Sequence, residues 1–421
     1  MKRKIVDVLF FIEHVSRELE VIALIERELK KINPSIRTHI ASLYYEFRTL
    51  GTWLDAKIVV MPFCYGIDLY YKQILYDFPR ATFINLAFEQ IFAPISIAGR
   101  VPKDGFSRHA VTHFAWGDDF RQFLRNQGVD AERVIVNGNL PLSLYAPELR
   151  SFYPSKQDLA RKFGLDARKR WVFFPENYAV AFLTDSSLAA FVKKGSYSQE
   201  EGSKYREFAR KSLTYVFDWL TSLDPEHFEV IVRPRPAITV RQYRDAFMNR
   251  SINEGLKPRF IKKLGVREWI LASDLIVSSY STTLIESAVA GKPTFMLKPL
   301  PYFDFMKADW HDYVQTIGDT QEFLKIANKK ELPLADELTG WAKEKFGPCS
   351  IDPIQGIANY LVSGLGTERF PESPGSCAGF ALSWLKRSIP LLYRHHRGHD
   401  KDRLSVFVLG RERRKIRGLD I

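Results

Sequence analysis

The stretch Ala272–Met296, ASDLIVSSYSTTLIESAVAGKPTFM, decides the fold. Its short apolar runs, small polar residues and glycine predict a strand over Leu275–Ser278 and a tight polar turn over Ser279–Thr282. A helix over Thr283–Ala290 follows, then a stop at Gly291 and a second strand over Thr294–Leu297. Five of the six residues from Ser278 to Thr283 carry small hydroxyls. They fall where a buried strand hands over to a helix. Backbone N–H groups and the helix dipole converge at such a point, which suits a phosphate. A plainer reading stands beside it: Thr283-x-x-Glu286 has the spacing of a capping box that only starts the helix.

Upstream of this stretch the same alternation recurs. Trp171–Phe174 and Phe228–Val232 read as strands. Lys156–Phe163, Lys204–Leu223, Val240–Asn249 and Arg267–Leu271 read as helices. Pro141–Pro154 has three prolines and no clear period, which marks an interdomain linker. Before it, Ile5–Phe11, Arg37–Ala41, Lys57–Met61, Thr82–Leu86, Thr112–Trp116 and Arg133–Val136 read as strands. Helices over Arg17–Lys31, Leu69–Tyr76 and Asp119–Asn126 lie among them. The first of these has Leu19, Ile22, Ile25 and Leu29 at helical spacing on one side. Strands alternating with helices predict an α/β protein with parallel, doubly wound sheets. The expected organisation is two Rossmann-like domains facing a cleft, over 1–145 and 155–370, with a basic amphipathic tail over 371–421. Ligands of such sheets bind at the carboxyl ends of the strands.

The composition bounds the rest. A chain of 421 residues, 46% hydrophobic, can bury two sizeable cores. Cys64, Cys349 and Cys377 are far apart and form no CxxC or Cys/His spacing, which argues against a disulfide scaffold and a zinc site. The opening MKRKIVDVLFFIEH is interrupted by Asp7 and Glu13, so it reads as a first strand and not as a signal peptide. No run reaches the ~18–20 apolar residues that span a bilayer. A cytoplasmic location is expected. The net charge of +12 is uneven: residues 371–421 hold 11 Lys/Arg and 5 Asp/Glu. Basic clusters at Arg394–His399 and Arg411–Arg417, preceded by Phe380, Trp384 and several leucines interleaved with Lys386 and Arg387, fit attachment to an anionic membrane surface better than nucleic-acid binding.

Several strand ends carry candidate chemistry. VIVRPRP at Val230–Pro236 ends a strand in Arg233 and Arg235, suited to bidentate recognition of an anion. FFPEN at Phe173–Asn177 places Glu176 and Asn177 just beyond another strand, where a carboxylate can act as acid, base or nucleophile. NLAFEQ at Asn85–Gln90 does the same for Glu89 and Gln90 in the first half. EHVSRELE at Glu13–Glu20 offers His14, Arg17 and Glu18 at the first strand-to-helix junction, with Ser16 as a candidate helix cap. His113 reads as a core histidine, and Asp118-Asp119 as a helix start. No metal and no cofactor are assigned.

In order and spacing, RELE, NLAFEQ, HFAWG…GVDAERVIVNGN, FFPENYAVAF, VIVRPRP and SDLIVSSYSTTLIESAVAGKP resemble GT-B glycosyltransferases of bacterial surface-carbohydrate (lipopolysaccharide and capsule) biosynthesis. The last of them also resembles the nucleotide-phosphate motif of capsule Kdo transferases and of CDP-glycerol polymerases. Those relatives often have an R-P-H-P pattern where Arg235 stands, so a histidine mechanism is not carried over. The resemblance implies a nucleotide-sugar donor, CMP-Kdo among them, in the second domain. Ser279, Ser281, Thr282, Thr283, Arg235 and Asn177 would bind that donor, Glu286 would contact the ribose, and Arg233 would neutralise the leaving group. Glu176 and Glu89 are the catalytic candidates, and Arg17, Glu18 and Gln90 face a glycan or glycolipid acceptor. It also implies a metal-independent enzyme; the basic tail, which lies outside the resemblance, would hold it at the inner-membrane surface. The alternatives are a CDP-alditol glycerophosphotransferase and a non-catalytic GT-B-like scaffold of polysaccharide assembly.

Overall fold

The computed structural model describes residues 2–193, 198–235, 238–248, 255–365, 376–388 and 404–417. They fall into two compact units. Unit 1 comprises Met1–Ile91, Ile97–Phe152 and Lys343–Ile421, and unit 2 comprises Phe92–Ser96 and Tyr153–Ala342. The spacing runs the second domain on to residue 370, whereas the chain re-enters unit 1 at Lys343.

Unit 1 is built on β1 (Lys4–Ile12), β2 (Thr38–Ser42), β3 (Leu54–Met61), β4 (Thr82–Asn85), β5 (Val111–Ala115) and β6 (Val134–Val136). The six strands lie in the order β2-β1-β3-β4-β5-β6 and every pair is parallel. Burial of β1 is continuous from Val6 to Ile12, as for a parallel strand covered on both faces. Asp7 sits in that run because Lys57 lies 2.9 Å away and the Arg37 N–H donates to it at 2.7 Å. Burial alone would raise its pKa, but those two partners lower it.

Helix Val15–Ile32 buries Leu19, Ile22, Ile25 and Leu29, the face its spacing predicts. It also buries Val21, Leu24, Glu18, Glu26 and Glu28. The reason is tertiary: helices Asp352–Gly364 and Val406–Arg417, from the far end of the chain, pack against it. Helix Cys377–Ser388 packs on the turn Leu50–Thr52.

The basic tail is therefore docked on unit 1 through carboxylates. Arg387 Nε donates to the buried Glu46 at 2.6 Å, Arg413 grips Glu26 at 2.6 and 2.7 Å, and Lys415 reaches Glu20 at 2.6 Å. The Arg394–His399 cluster, the run from Ile389 to Tyr393, Pro236 and Asn249 lie outside the described residues.

Unit 2 is built on β7 (Arg170–Pro175), β8 (Phe228–Arg233), β9 (Arg259–Phe260), β10 (Leu275–Ser278), β11 (Thr294–Leu297) and β12 (Thr316–Ile317). Its order is β12-β11-β10-β7-β8-β9, again all parallel. The long helix covering it starts at Gln199, five residues before the apolar period does. A Ser198/Glu201 capping box sets that start. Gly291, with φ of 71°, turns the chain out of helix Thr283–Val289 toward β11.

Strand order fixes where each sheet opens. In unit 1 consecutive connections leave β1 in opposite directions, toward β2 and then β3. In unit 2 the same reversal lies between β7 and β10. The carboxyl ends at these reversals are the two places where side chains from adjacent loops converge with no strand above them. Among the described residues, no helix is long and apolar enough to cross a membrane.

Candidate functional site

In unit 2 the reversal brings together the loops after β7, β8 and β10. Pro175 pairs in register with Arg233, and Ser278 Oγ donates to the Pro175 carbonyl at 2.5 Å. Asn177 Nδ2 donates to the Tyr280 carbonyl at 3.2 Å, and Tyr280 Oη donates back to the Asn177 carbonyl at 3.3 Å. Tyr280 and Tyr205 hydroxyls meet at 3.1 Å. FFPEN and SSYSTT are thus one structure, although 103 positions separate Asn177 from Tyr280.

Glu176 lies beneath this clamp, 4% exposed. Its carboxyl accepts from the Tyr178 N–H and, at 3.3 Å, from the Arg235 N–H. Burial pushes its pKa up to about 8, against the opposing pull of the Arg235 backbone and charge and the Tyr178 N–H. At neutral pH it is a carboxylic acid able to give a proton. Beside it the Tyr178 hydroxyl is buried among Ser279 and Ser212. None of those three oxygens completes a hydrogen bond of ordinary geometry.

The hydroxyl turn does not cap its helix. Thr282 occupies the cap position with helical backbone angles, φ −59° and ψ −12°, and makes no side-chain cap bond. The Thr283-x-x-Glu286 box does not form, because Thr283 is already the first helical residue and Glu286 falls one position too late. Ser281 Oγ instead lies 3.2 Å from Thr283 Oγ1 and accepts from the Thr283 N–H at 3.4 Å. Thr282 is exposed, and Glu286 is half-buried along the helix.

The two arginines differ. Arg233 Nη2 donates to the Leu264 carbonyl at 2.6 Å, and its Nη1 to the Lys262 and Lys263 carbonyls at 3.2 and 3.3 Å. Burial lowers its pKa to about 10, which Glu268 opposes. It braces the loop at Leu264, whose φ is a strained 69°. Arg235 is exposed beside Glu176. The expectation that Arg233 meets an anion therefore passes to Arg235, one residue outside the proline.

In unit 1 the reversal between β1 and β3 opens a cavity of about 220 Å³ lined by Glu13, Arg17, Glu18, Tyr65, Glu89 and Arg100 among others. Glu18 is fully buried and accepts from the Glu13 N–H at 2.7 Å. Burial raises its pKa, partly offset by Arg17. Arg17 lies 3.3 Å from Glu18, 3.7 Å from Glu13 and pairs with Glu89, which also pairs with Arg100. Burial opposes the charge of Arg17, but Glu89, Glu18 and Glu13 outweigh it and raise its pKa. Ser16 is no cap: the helix starts at Val15, with His14 in the cap position.

Gln90 is a correction. It is buried; its Nε2 donates to the Ala87 and Phe114 carbonyls at 3.0 and 2.8 Å, and its Oε1 accepts from the Trp116 N–H at 2.7 Å. It ties the ends of β4 and β5 together and has no group left for an acceptor. Glu89 next to it is exposed, on a loop where Ala87 holds a positive φ of 47° and Asn85 Oδ1 accepts the Ala87 N–H at 2.9 Å. His113 is a satisfied core residue, bonded to Asn85 at 3.0 Å and the Ser107 carbonyl at 2.7 Å. Asp118 and Asp119 pair with Arg121 and Lys345, and Gly117 is needed because a Cβ there would meet the Lys345 carbonyl at 2.0 Å. Among the described residues no group of three or more His, Cys, Asp or Glu could hold a metal.

Sequence reasoning missed Glu13, Tyr65 and Arg100 in unit 1, and Tyr178, Tyr205 and Tyr280 in unit 2. Tyr280 interrupts the hydroxyl run, and that position was its signal. Arg100 and Tyr205 lie in segments with no pattern that points to a site.

No protein-family model and no curated protein sequence matches the chain. Solved structures do. The wall teichoic acid polymerase TagF aligns over 86% of this chain and 89% of its own, with a TM-score of 0.53 and 13% identity. A putative UDP-N-acetylglucosamine 2-epimerase from Listeria monocytogenes aligns over 86% of this chain and 95% of its own, with a TM-score of 0.50 and 12% identity. The architecture shared with these neighbours is a pair of Rossmann-like domains of the GT-B kind, and at this identity the likeness speaks for fold alone.

Proposed function

We propose that the chain is a glycosyltransferase that takes a sugar from a nucleotide-activated donor and passes it to a bacterial surface glycan. The supporting observation is that the strand-order reversal of unit 2 gathers a neutral carboxylic acid, an exposed arginine and a set of hydroxyls not used for capping. In this reading Ser279, Ser281, Thr282 and Thr283 surround the donor phosphates, Arg235 balances their charge, and Asn177 holds the turn in place. Glu286 reaches the ribose. Glu176 supplies a proton as negative charge develops on the leaving phosphate. Arg233 keeps the β8 loop in register. The charged cavity of unit 1 takes the acceptor: Glu89 is the base on its hydroxyl, while Arg17 and Glu18 orient it. A CMP-linked sugar acid is one candidate donor.

Titration with CMP, CDP and UDP, read by amide chemical shifts, tests this. Shifts confined to Glu176–Tyr178, Arg235 and Ser279–Glu286 are expected, and no shift with any nucleotide would sink it. Transfer of a phosphoglycerol unit is the runner-up, suited to the same turn; the mass of the product separates the two, since only that reaction adds phosphorus.

Attachment to an anionic membrane surface is a further part of the reading. Phe380, Trp384 and Phe407 of the C-terminal helices are 47%, 52% and 77% exposed, next to Lys386 and Arg411. Replacing all three by serine is expected to abolish co-sedimentation with phosphatidylglycerol vesicles; unchanged binding would refute it.

A further inference from the structure

Unit 1 has a second cavity, of about 450 Å³, lined by Lys4, Arg27, Lys30, Arg37, Arg413 and Arg417, with Glu26 the single carboxylate of the lining among the described residues. It lies at the amino ends of the sheet, since Lys4 opens β1 and Thr38, also in the lining, opens β2. The nine residues of β1 put it roughly 26 Å from the carboxyl-end cavity of the same unit. It is thus a site separate from the proposed chemistry.

The charge balance there is one-sided. Glu26 already accepts two bonds from Arg413, at 2.6 and 2.7 Å, and one from the Thr38 hydroxyl at 2.5 Å. Arg37 stands 3.5 Å from Asp7, a carboxylate that Lys57 holds more closely at 2.9 Å. Lys30 Nζ is fixed by the carbonyls of Pro34 and Ile36, which orient its charge without cancelling it. His39, half-buried nearby, faces Lys4 and Arg413 of the lining as well as Arg387. Burial first, and then Arg387, Lys4 and Arg413, hold its pKa well below the usual value. Cations gathered around a concavity repel one another unless an anion sits among them. Arginine forks around a space too large for a single small ion fit a phosphate carried on a larger group.

We propose that this cavity binds a phosphate- or diphosphate-bearing anion, supplied by a lipid headgroup at a membrane surface or by a soluble phosphate ester. The C-terminal helix completes the site, because Arg413 and Arg417 come from it and Phe407 projects from the same helix. The site stands whether or not the chain transfers a sugar.

The test uses the full chain with two probes, inorganic pyrophosphate by calorimetry and phosphatidylglycerol vesicles by co-sedimentation. The cavity pair Arg37→Glu with Arg417→Glu is compared with Lys72→Glu and Arg125→Glu, an equal charge change on exposed residues outside the lining. The cavity pair is expected to weaken binding by at least about tenfold, and the control pair by roughly twofold at most. Loss with pyrophosphate supports the site with a soluble source, and loss with vesicles alone supports the headgroup. No binding of either probe, or equal loss in both pairs, overturns it. Vesicle binding lost on replacing Phe380, Trp384 and Phe407, with both probes still bound by the cavity pair, overturns the cavity while leaving membrane attachment standing.

Discussion

The two strand-order reversals are built from opposite materials. In unit 1, Arg17 and Arg100 are matched against Glu13, Glu18 and Glu89, so the loops are held by charge pairs. In unit 2, tyrosine and serine hydroxyls, backbone carbonyls and one uncharged acid hold the loops, and Arg235 is the exposed cation. The same sheet geometry therefore gives a self-neutralised pocket in one unit and an anion-ready one in the other. A charged ligand entering the first must displace an existing ion pair. One entering the second meets donors that ask for an acceptor.

The largest effect expected from this contrast is on Glu176. Glu176→Gln keeps the shape but cannot release a proton, and transfer should fall by about 10²–10⁴-fold with nucleotide affinity nearly unchanged. Equal loss of affinity would make the residue a binding group. Next comes the split between the arginines. Arg235→Ala should weaken nucleotide binding by roughly ten- to a hundredfold and leave the urea midpoint alone. Arg17→Ala should do the reverse, destabilising unit 1 by about 2 kcal/mol because Glu18 is left buried beside like charges. If both variants lose nucleotide equally, the contrast between the sites fails.

A smaller effect is in pH. An unfolded glutamate releases its proton near ~4.3, while folded Glu176 keeps its own up to about 8. Between those values the native chain binds the extra proton. Its contribution to stability is therefore largest below the window, falls as pH rises through it, and levels off above. Glu176→Gln should flatten the fall in urea midpoint; a wild-type midpoint that does not change over that range would show the carboxyl is ionised. The smallest effect is at Thr282. With no cap bond to lose, Thr282→Ala should change stability by less than about 0.5 kcal/mol, against ~1 for a true cap.

Much of the fold was legible because strands covered on both faces must be apolar and helices with one covered face must be periodic. Leu275–Ser278, Thr294–Leu297 and the Leu19–Leu29 face follow from that alone. Two-residue strands such as β9 and β12 carry no such period, and neither appears in the pattern. Within the candidate sites, residues just beyond strand ends were legible, since ligand loops sit there. Which of them has free groups was not. Gln90 and Arg233 satisfy the rule of position, yet their polar atoms are taken up by carbonyls and an N–H of distant loops.

By itself, then, the sequence determined the alternation of strand and helix, the places where loops leave the strands, and the surplus of positive charge near the end of the chain. Those depend on local periodicity and composition. Only the tertiary structure decided that Glu176 holds its proton, that Arg235 is the exposed arginine, and that Arg387, Arg413 and Lys415 pair with glutamates some 340 to 395 positions away. Burial and pairing are set by neighbours brought together in space, and no local pattern encodes them.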